Sequence, residues 1–362
     1  MEWNWQQKDW PKFTYNNSDL EELEKEFICQ SGVLTGALLL LNDKDKDQLK
    51  IDIFSNEALK TSEIEGEHLN RDSLQSSIRK HFGLDTDGRK IEPAEQGIAD
   101  MMIDLYKSCD KPLLHEMLNL WHIMLCTGRR DLHNIGKYRT HDEPMQVVSG
   151  PLHKPNIHFE APPSKLMKYE MDNYINWFKS SKKHIPPLTR ASIAHLYFVS
   201  IHPFEDGNGR IGRAIVEKSL AESLGYSTLI ALSFIIEKNK KSYYNALEKA
   251  NKSTEVTNWI LYFSQIILEA QKYTQNQVKF LINKSKFFDK FNSQLNERQK
   301  KVVLRMFKEG IDGFRGGLSA ENYCSITKTS SATASRDLRE LVNIYAFVKT
   351  GVLKHTRYYL NI

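Results

Sequence analysis

The sequence predicts a mainly α-helical protein with a small β-hairpin and a C-terminal winged helix-turn-helix unit. Apolar residues recur three and four positions apart through most of the first 285 residues, which is the spacing of amphipathic helices. Residues 138–163 instead contain prolines and short alternating runs, which are typical of a loop with a hairpin. Beyond residue 285, three amphipathic segments precede an alternating run, which is the element order of a winged helix.

Local signals delimit the helices of the first part. Asp19 is a suitable N-cap for a helix over 20–29, and Gly66 is a suitable left-handed C-cap for one over 51–65. Residues 84–93 are polar and rich in turn formers, so they are a candidate boundary. Further helices are predicted at 70–83, 95–109, 114–126, 165–179, 189–201, 210–224, 240–251 and 259–276.

The tail carries the positive charge of the chain. Residues 285–362 hold fourteen basic and seven acidic residues, which leaves the rest of the chain at −2 although the whole is +5. Helices are predicted at 296–308, 319–328 and 330–342, with a hairpin over 346–360. Arg336 and Arg339 on the third helix fit recognition of DNA, but winged helices also serve in dimerisation and protein docking. A salt-dependent shift of duplex DNA would separate these alternatives.

Composition indicates a soluble cytoplasmic protein of two or three domains. Hydrophobic residues make up 40% of the 362 residues and charged residues 26%, which excludes disordered and fibrous classes. Four widely spaced cysteines exclude a disulfide scaffold and favour a reducing compartment. Neither a signal peptide nor a membrane-spanning run is recognisable. We predict domains at 1–92, 93–280 and 285–362.

The chemistry-bearing segment is HPFEDGNGRIGR at residues 202–213. A proline after His202 ends the preceding helix there, and three glycines allow a tight turn into a second helix. Free amides at that helix N-terminus, with two arginines one turn apart, suit phosphate oxygens. Asp206 offers a hard oxygen ligand for Mg²⁺, and His202 lies where a base with a near-neutral pKa is needed. The segment therefore predicts a nucleotide-phosphate site.

Two other phosphate-binding motifs fit this segment poorly. The glycines at 207, 209 and 212 match G-x-G-x-x-G, but that motif requires a preceding strand, and both flanks here are helical. A P-loop would need Lys followed by Ser or Thr after the glycines, and neither follows.

The twelve residues match the motif H-x-F-x-[DE]-G-N-G-R-x-x-R of the Fic family at every specified position, so the chain resembles Fic proteins. The resemblance implies a Fic-type helical bundle that transfers AMP from ATP, with Mg²⁺, to Ser, Thr or Tyr hydroxyls of target proteins and of itself. It implies that His202 is the general base, that Asp206 binds Mg²⁺ and that Phe204 fixes the loop from the core. The implied ATP-binding residues are Phe204, Gly207, Asn208, Gly209, Arg210 and Arg213.

Three other segments extend the resemblance. Thr61, Glu65 and Gly66 match the inhibitory pattern [ST]-x-x-x-E-[GN] of the family, which implies that Glu65 pairs with Arg213 and misplaces ATP. Residues 145–159 match the flap that aligns the target backbone, and the opening WNWQQKDWPKF is similar to an N-terminal domain found with bacterial Fic cores. More loosely, Tyr243, Tyr244 and Asn245 resemble the region that faces adenine and ribose.

The resulting hypothesis is an auto-inhibited protein adenylyltransferase that binds ATP. Removal of AMP from a modified protein is an alternative within the enzyme class. In that case Glu65 would position a water molecule for the hydrolysis. A DNA-binding regulator controlled by a self-modifying core is an alternative from another class, and a homodimer stays open. His115, His122 and His195 are interpreted as packing residues, and Tyr138 and Arg139 either line the site or anchor the flap.

Overall fold

The computed structural model describes residues 2–84, 86, 88–151, 155–314 and 316–362. This part of the chain is mainly helical, as predicted. It divides into two compact units, one formed by the residues up to Val33 with Asp47–Thr274, the other by Leu34–Lys46 with Gln275–Ile362. The three domain ranges inferred from the sequence stay predictions. Among the described residues, no helix combines the length and the apolar character that crossing a bilayer requires.

Eleven α-helices and one strand pair precede the tail within the described residues. The helices are α1 (Glu21–Leu39), α2 (Asp43–Ile64), α3 (Arg71–His81), α4 (Pro93–Lys107), α5 (His115–Leu125), α6 (Met167–Ser181), α7 (Pro187–Ile201), α8 (Asn208–Leu224), α9 (Leu232–Lys238), α10 (Lys240–Ala250) and α11 (Thr257–Phe291). The antiparallel strands are β1 (Gln146–Ser149) and β2 (Asn156–Glu160).

The core of the first unit surrounds α7. This helix is apolar on nearly its whole circumference and almost every residue in it is buried, so it packs as a central helix. Leu196 of α7, Val216 of α8 and Phe263 of α11 belong to one buried cluster. A short 3₁₀ helix at Asn4–Gln6 lies against the end of α7, where Asn4 Nδ2 donates to Ser200 Oγ at 2.9 Å. The central helix is thereby fixed close to its C-terminus, where the predicted site begins.

Several helices exceed the predicted bounds. Helix α11 continues past residue 276, where its predicted range ends, because the Lys, Gln and Asn residues there permit a helix and Val278 and Phe287 are buried along it. The polar start of α2 is stabilised by ion pairs one turn apart, such as Lys50 with Asp47 at 3.4 Å. Helix α9 is absent from the prediction, since its seven residues are too few for a periodic signal.

The tail forms α12 (Glu297–Lys308), α13 (Ala320–Thr327), α14 (Ser331–Asn343), β3 (Phe347–Thr350) and β4 (Arg357–Leu360), in the predicted order. Arg315, in the glycine-rich sequence between α12 and α13, lies outside the described residues. The Asp337 carboxylate is buried and accepts from Arg298 Nε at 2.8 Å and from the Tyr323 hydroxyl at 2.9 Å. Assignment as a winged helix, DNA binding and dimerisation stay predictions; Arg336 and Arg339 are exposed on α14.

Candidate active site

The site is built on the turn between α7 and α8. His202 adopts φ 52° and ψ 58°, a left-handed conformation that is costly for a residue with a Cβ. Pro203 follows and cannot donate a backbone hydrogen bond, so the helix stops there. Gly207, with φ 81°, is the N-cap of α8, and its left-handed conformation suits glycine. The chain thus reverses within a few residues and presents the N-terminus of α8 beside His202.

Phe204 and Asn208 hold this turn from inside. Phe204 is fully buried, and its ring stacks on the His122 ring with centroids 4.2 Å apart. The Asn208 amide closes the turn on the backbone of Phe204, because Oδ1 accepts from the Phe204 N–H at 2.9 Å and Nδ2 donates to the Phe204 carbonyl at 2.7 Å. Both predicted site residues therefore shape the loop in this structure, with Asn208 itself buried.

His202 is neutral at physiological pH in this environment. Burial, with a smaller contribution from the positive charge of Arg139, lowers the pKa of its imidazole to about 4. Its Nδ1 lies 3.2 Å from the Val199 carbonyl, and because a carbonyl only accepts, this contact assigns the proton to Nδ1. Nε2 then keeps a free lone pair, which is the form that a general base requires.

Arg213 is held by the last turn of α2 and by the residue that follows this helix. Its guanidinium is buried and donates to the Thr61 hydroxyl from Nε at 2.7 Å and to the Thr61 carbonyl at 2.9 Å. Nη2 also donates to Glu65 Oε1 at 2.8 Å. Burial would lower the pKa of Arg213, but the Glu65 carboxylate holds it above its usual value. The structure thus brings Glu65 and Arg213, far apart in sequence, into a charged hydrogen bond.

The Glu65 carboxylate also covers the first turn of α8. A Cβ added to Gly209 would collide with Glu65 Oε1 and lie 3.2 Å from Arg213 Nη1. The backbone amides at a helix N-terminus are the groups that bind anions. Glu65 therefore lies over the surface where the sequence predicts bound phosphates. The following Gly66, with φ 86°, allows the turn after α2 that aims this carboxylate.

A second carboxylate, Glu67, pairs with the other arginine of the motif. Arg210 Nη1 donates to Glu67 Oε2 at 2.5 Å, and Arg210 Nη2 lies 3.3 Å from Asp206 Oδ2. Arg210 is almost fully buried, and its Nε has no hydrogen-bond partner among the described residues. Each arginine of the predicted phosphate site is thus matched to one carboxylate of residues 65–67.

Asp206 is ionised and partly exposed. Burial would raise the pKa of its carboxyl, but Arg210, the Gly207 N–H and Arg129 hold it below its usual value. The contacts are short, at 2.6 Å from the Gly207 N–H to Oδ1 and 2.7 Å from Arg129 Nη1 to Oδ2. A single carboxylate suits Mg²⁺ where phosphates supply the remaining oxygens.

The tyrosines of α10 occupy different environments. Tyr243 is buried, and its hydroxyl lies 2.7 Å from His195 Nε2. Burial raises the pKa of Tyr244 to about 12, and its hydroxyl lies 3.4 Å from the Ile64 carbonyl, next to Glu65. Asn245 is exposed. Tyr243 thus belongs to the core, while Tyr244 and Asn245 reach solvent on the same helix.

The predicted flap is the β1–β2 hairpin, in which His158 forms a bulge. The register shifts between Val147 and Val148, so His158 has no partner in the ladder and is aimed at α10. Its Nε2 lies 2.6 Å from Ser149 Oγ and its Nδ1 lies 2.9 Å from Glu248 Oε2. These contacts tie the hairpin to α10. Residues 152–154 of the flap lie outside the described residues.

Three histidines interpreted as packing residues are placed as follows. His195 is fully buried and stacks on Phe263, with centroids 5.0 Å apart. His122 is buried under Phe204, and its Nδ1 lies 2.9 Å from the Gly136 nitrogen. His115 lies between the Tyr138 hydroxyl at 2.6 Å and Asp172 at 2.8 Å.

Sequence reasoning missed two charged residues of the site and left a third undecided. Glu67 and Arg129 were not singled out, although Glu67 is two positions from Glu65. Arg139 was left open between lining the site and anchoring the flap; its guanidinium contacts the His202 carbonyl. Neither arginine belongs to a recurring local pattern, and only their distant partners reveal them.

Two family models match this chain, and they match different regions of it. Residues 112–220 match the Fic/DOC family, and residues 3–84 match a domain of unknown function, DUF4172. Among curated proteins, a probable protein adenylyltransferase of Aquifex aeolicus is 32% identical over 27% of this chain and 28% of its own length. The protein adenylyltransferase Fic of Aedes aegypti is 34% identical over 23% of this chain and 16% of its own length. The chain thus matches less than a third of these relatives.

Solved structures share the fold at low sequence identity. A Fic family protein from Desulfovibrio desulfuricans superposes with a TM-score of 0.56 and 18% identity, covering 97% of this chain and 98% of the other. A Fic domain-containing signaling protein from Bacteroides thetaiotaomicron gives a TM-score of 0.52 and 19% identity, covering 69% and 98%. The chain therefore carries a Fic domain at residues 112–220.

Proposed function

We propose that this protein is a protein adenylyltransferase that moves AMP from ATP to hydroxyl groups of target proteins and of itself. The observation that carries the proposal is a neutral, partly buried His202 beside the N-terminus of α8, whose first turns hold two buried arginines. Curated relatives that match part of this chain carry the same activity in their names, which supports the choice of reaction.

The proposed reaction is an in-line displacement at the α-phosphorus. His202 Nε2 accepts the proton of the target hydroxyl as its oxygen attacks. A bond forms between that oxygen and the α-phosphorus, and the bond from the α-phosphorus to the bridging oxygen breaks, releasing pyrophosphate. Arg210 and Arg213 would hold the β- and γ-phosphates, and the Gly207 and Gly209 amides would face them. Positioning and charge stabilisation supply most of the catalysis in this class of reaction.

Asp206 is the residue that would hold Mg²⁺ in this proposal. Its carboxylate is ionised and partly exposed, and its present partners are arginines rather than a second acidic ligand. When bound, the ion would neutralise charge on the leaving pyrophosphate. Arg129 would keep Asp206 oriented, since its Nη2 is anchored to Asp131 at 2.6 Å.

We infer that residues 61–67 inhibit the enzyme in this conformation. Glu65 occupies the partner position on Arg213 and the surface over Gly209, so a phosphate there would lose a cation and meet a like charge. Glu67 likewise pairs with Arg210, so a phosphate at Arg210 would also lose its cation.

The residues of α10 would contribute to the nucleotide site in two ways. Tyr244 and Asn245 are exposed and would face adenine or ribose. Tyr243 is buried and would act by holding His195.

The proposal is tested by label transfer. The Glu65→Gly protein, incubated with a bacterial lysate and Mg²⁺, should become labelled, or should label another protein, from α-labelled ATP but not from γ-labelled ATP. Chelation of Mg²⁺ should remove the label. Labelling from γ-labelled ATP, or no α-label in any protein, would contradict the proposed transfer of AMP.

The low pKa of His202 predicts an unusual pH profile. Because burial lowers this pKa to about 4, the imidazole stays neutral and able to accept a proton across the physiological range. We expect kcat of the Glu65→Gly variant, at saturating Mg-ATP, to stay flat from about pH 8 to about pH 5 and to fall below that as His202 is protonated. A fall centred near 6.5, the ordinary histidine value, would show that His202 is not shielded in this way.

A further inference from the structure

Arg139 is a buried arginine whose donors converge on the end of α7. It is 1% exposed and lies in the chain between α5 and β1. Nε donates to the His202 carbonyl at 2.8 Å, and Nη2 donates to the Ile201 carbonyl at 3.4 Å and to the Pro162 carbonyl at 2.6 Å. Nη1 donates to Ser164 Oγ at 2.8 Å. Each nitrogen of the guanidinium therefore has an acceptor.

The end of α7 needs donors from outside the helix. The last turn of a helix leaves its carbonyls without intrahelical partners, and Pro203 has no N–H to offer. The His202 backbone N–H donates to the Phe198 carbonyl, and Nδ1 of the His202 imidazole donates to the Val199 carbonyl. The Arg139 guanidinium donates to the carbonyls of Ile201 and His202. The backbone N–H of Arg139 also donates to the Pro203 carbonyl at 2.9 Å. A cation at this helix terminus is also favoured by the helix dipole.

We propose that Arg139 is a positioning residue for the catalytic base, which fixes the left-handed backbone of His202 and thereby the direction of Nε2. The Val199 contact orients the ring, and the Arg139 contact orients the peptide that carries it. The same guanidinium donates to the Pro162 carbonyl and to Ser164 Oγ, which follow β2. One side chain therefore fixes both the backbone of the base and the segment that follows the hairpin. The role rests on the proposed function, because it assumes that His202 is the base.

The charge of Arg139 gives the proposal a second readout. Besides burial, it is the cationic neighbour that lowers the pKa of His202, while Glu65 and Asp206 raise it. Loss of the guanidinium charge should therefore raise this pKa, whereas Arg139→Lys retains a charge but loses the planar set of donors. Geometry and charge can thus be separated with two variants.

The kinetic test uses Arg139→Lys and Arg139→Met in the Glu65→Gly background. We expect kcat to fall on the order of 100-fold, as misplacement of a catalytic group by about 1 Å does, while KM for ATP changes little. Arg190→Lys is the matched control, because Arg190 is equally buried and also donates to carbonyls, of Phe178 at 2.8 Å and Ser219 at 3.0 Å. It lies near the start of α7, about 18 Å along the helix from His202. An equal fall in kcat in this control would overturn the proposal.

The second test does not depend on catalysis. The pKa of His202 is followed by NMR, with the His202→Gln protein identifying its resonance. We expect an upward shift in Arg139→Met and a smaller one in Arg139→Lys, because the lysine keeps a positive charge. An unchanged pKa in Arg139→Met overturns the proposal even if AMP transfer itself is never detected. Should Arg139→Met fail to fold, Arg139→Lys decides, since an unchanged kcat there is equally contrary.

Discussion

Replacing His202 with alanine is expected to abolish measurable AMP transfer, with kcat of the Glu65→Gly background falling about 10²- to 10⁴-fold. The imidazole is the group whose Nε2 would take the proton from the attacking hydroxyl. Its neutral form is secured by burial, and the Val199 contact places the remaining proton on Nδ1. The phosphate-binding groups stay in place, so affinity for an ATP analogue should be retained. Label transfer and analogue binding, measured on the same preparations, separate the two effects.

The matched control for this variant is His184→Ala. His184 lies in the turn between α6 and α7, on the exposed surface of the same unit, and its loss should leave label transfer unchanged. A His202→Ala protein that folds, binds the analogue and still transfers AMP within tenfold of its parent would remove His202 from the role of base. Loss of analogue binding would instead indicate that His202 supports the turn rather than the proton transfer.

Much of the site was predictable because it is encoded locally. Pro203 dictates the end of α7, Gly207 allows the left-handed N-cap, and two arginines at i and i+3 must share a helix face. The pairing of Glu65 with Arg213 spans most of the first unit, yet a family pattern in the residues around Glu65 anticipated it. Spacing within a few residues therefore accounts for most of what sequence reasoning placed at the site.

The remaining features depend on tertiary neighbours and have no local pattern. Arg139 and Arg129 lie in loops, where a charged residue is usually solvated, and only the carbonyls at the end of α7 and the Asp206 carboxylate give them roles. The bounds of α2 and α11 were underestimated for a related reason. Their polar stretches lack amphipathic spacing, but helix propensity and one-turn ion pairs continue the helix.

The role of Asn208 illustrates a limit of motif reasoning. The motif specifies the residue type, and the amide was expected at the phosphates. In this structure both of its polar atoms close the turn around Phe204, which is itself buried against His122. A polar residue that the motif specifies thus acts here on the shape of the turn, because its short side-chain amide takes the place of a backbone hydrogen-bonding group.

Removing the Glu65 carboxylate is expected to raise self-AMPylation. Glu65→Gly frees Arg213 and uncovers the first turn of α8, and a charged hydrogen bond of this kind is worth about 1.5–3 kcal/mol, or roughly ten- to a hundredfold in rate. Glu65→Gln should give a smaller rise, because the amide still covers Gly209 without the repulsive charge. Adding Glu67→Gln to Glu65→Gly should raise the rate further, since Arg210 then also loses the carboxylate that occupies its Nη1. Label from α-labelled ATP on the protein itself is the measurement.

Glu63→Gly is the matched control, because it makes the same substitution two residues earlier, where the carboxylate pairs with Lys60 at 2.5 Å rather than with the site. An equal rise in both variants would mean that loosening this segment, not removing the charge, activates the enzyme.

Comparison of the wild-type protein with Glu65→Gly decides between addition and removal of AMP. If Glu65 positions a water, an AMPylated target should lose its label in the wild-type protein and keep it in Glu65→Gly, and the Glu65→Gly rate of self-AMPylation should then reflect lost hydrolysis. A wild-type protein that leaves the labelled target intact assigns Glu65 to inhibition, because the carboxylate then acts only by occupying the phosphate surface.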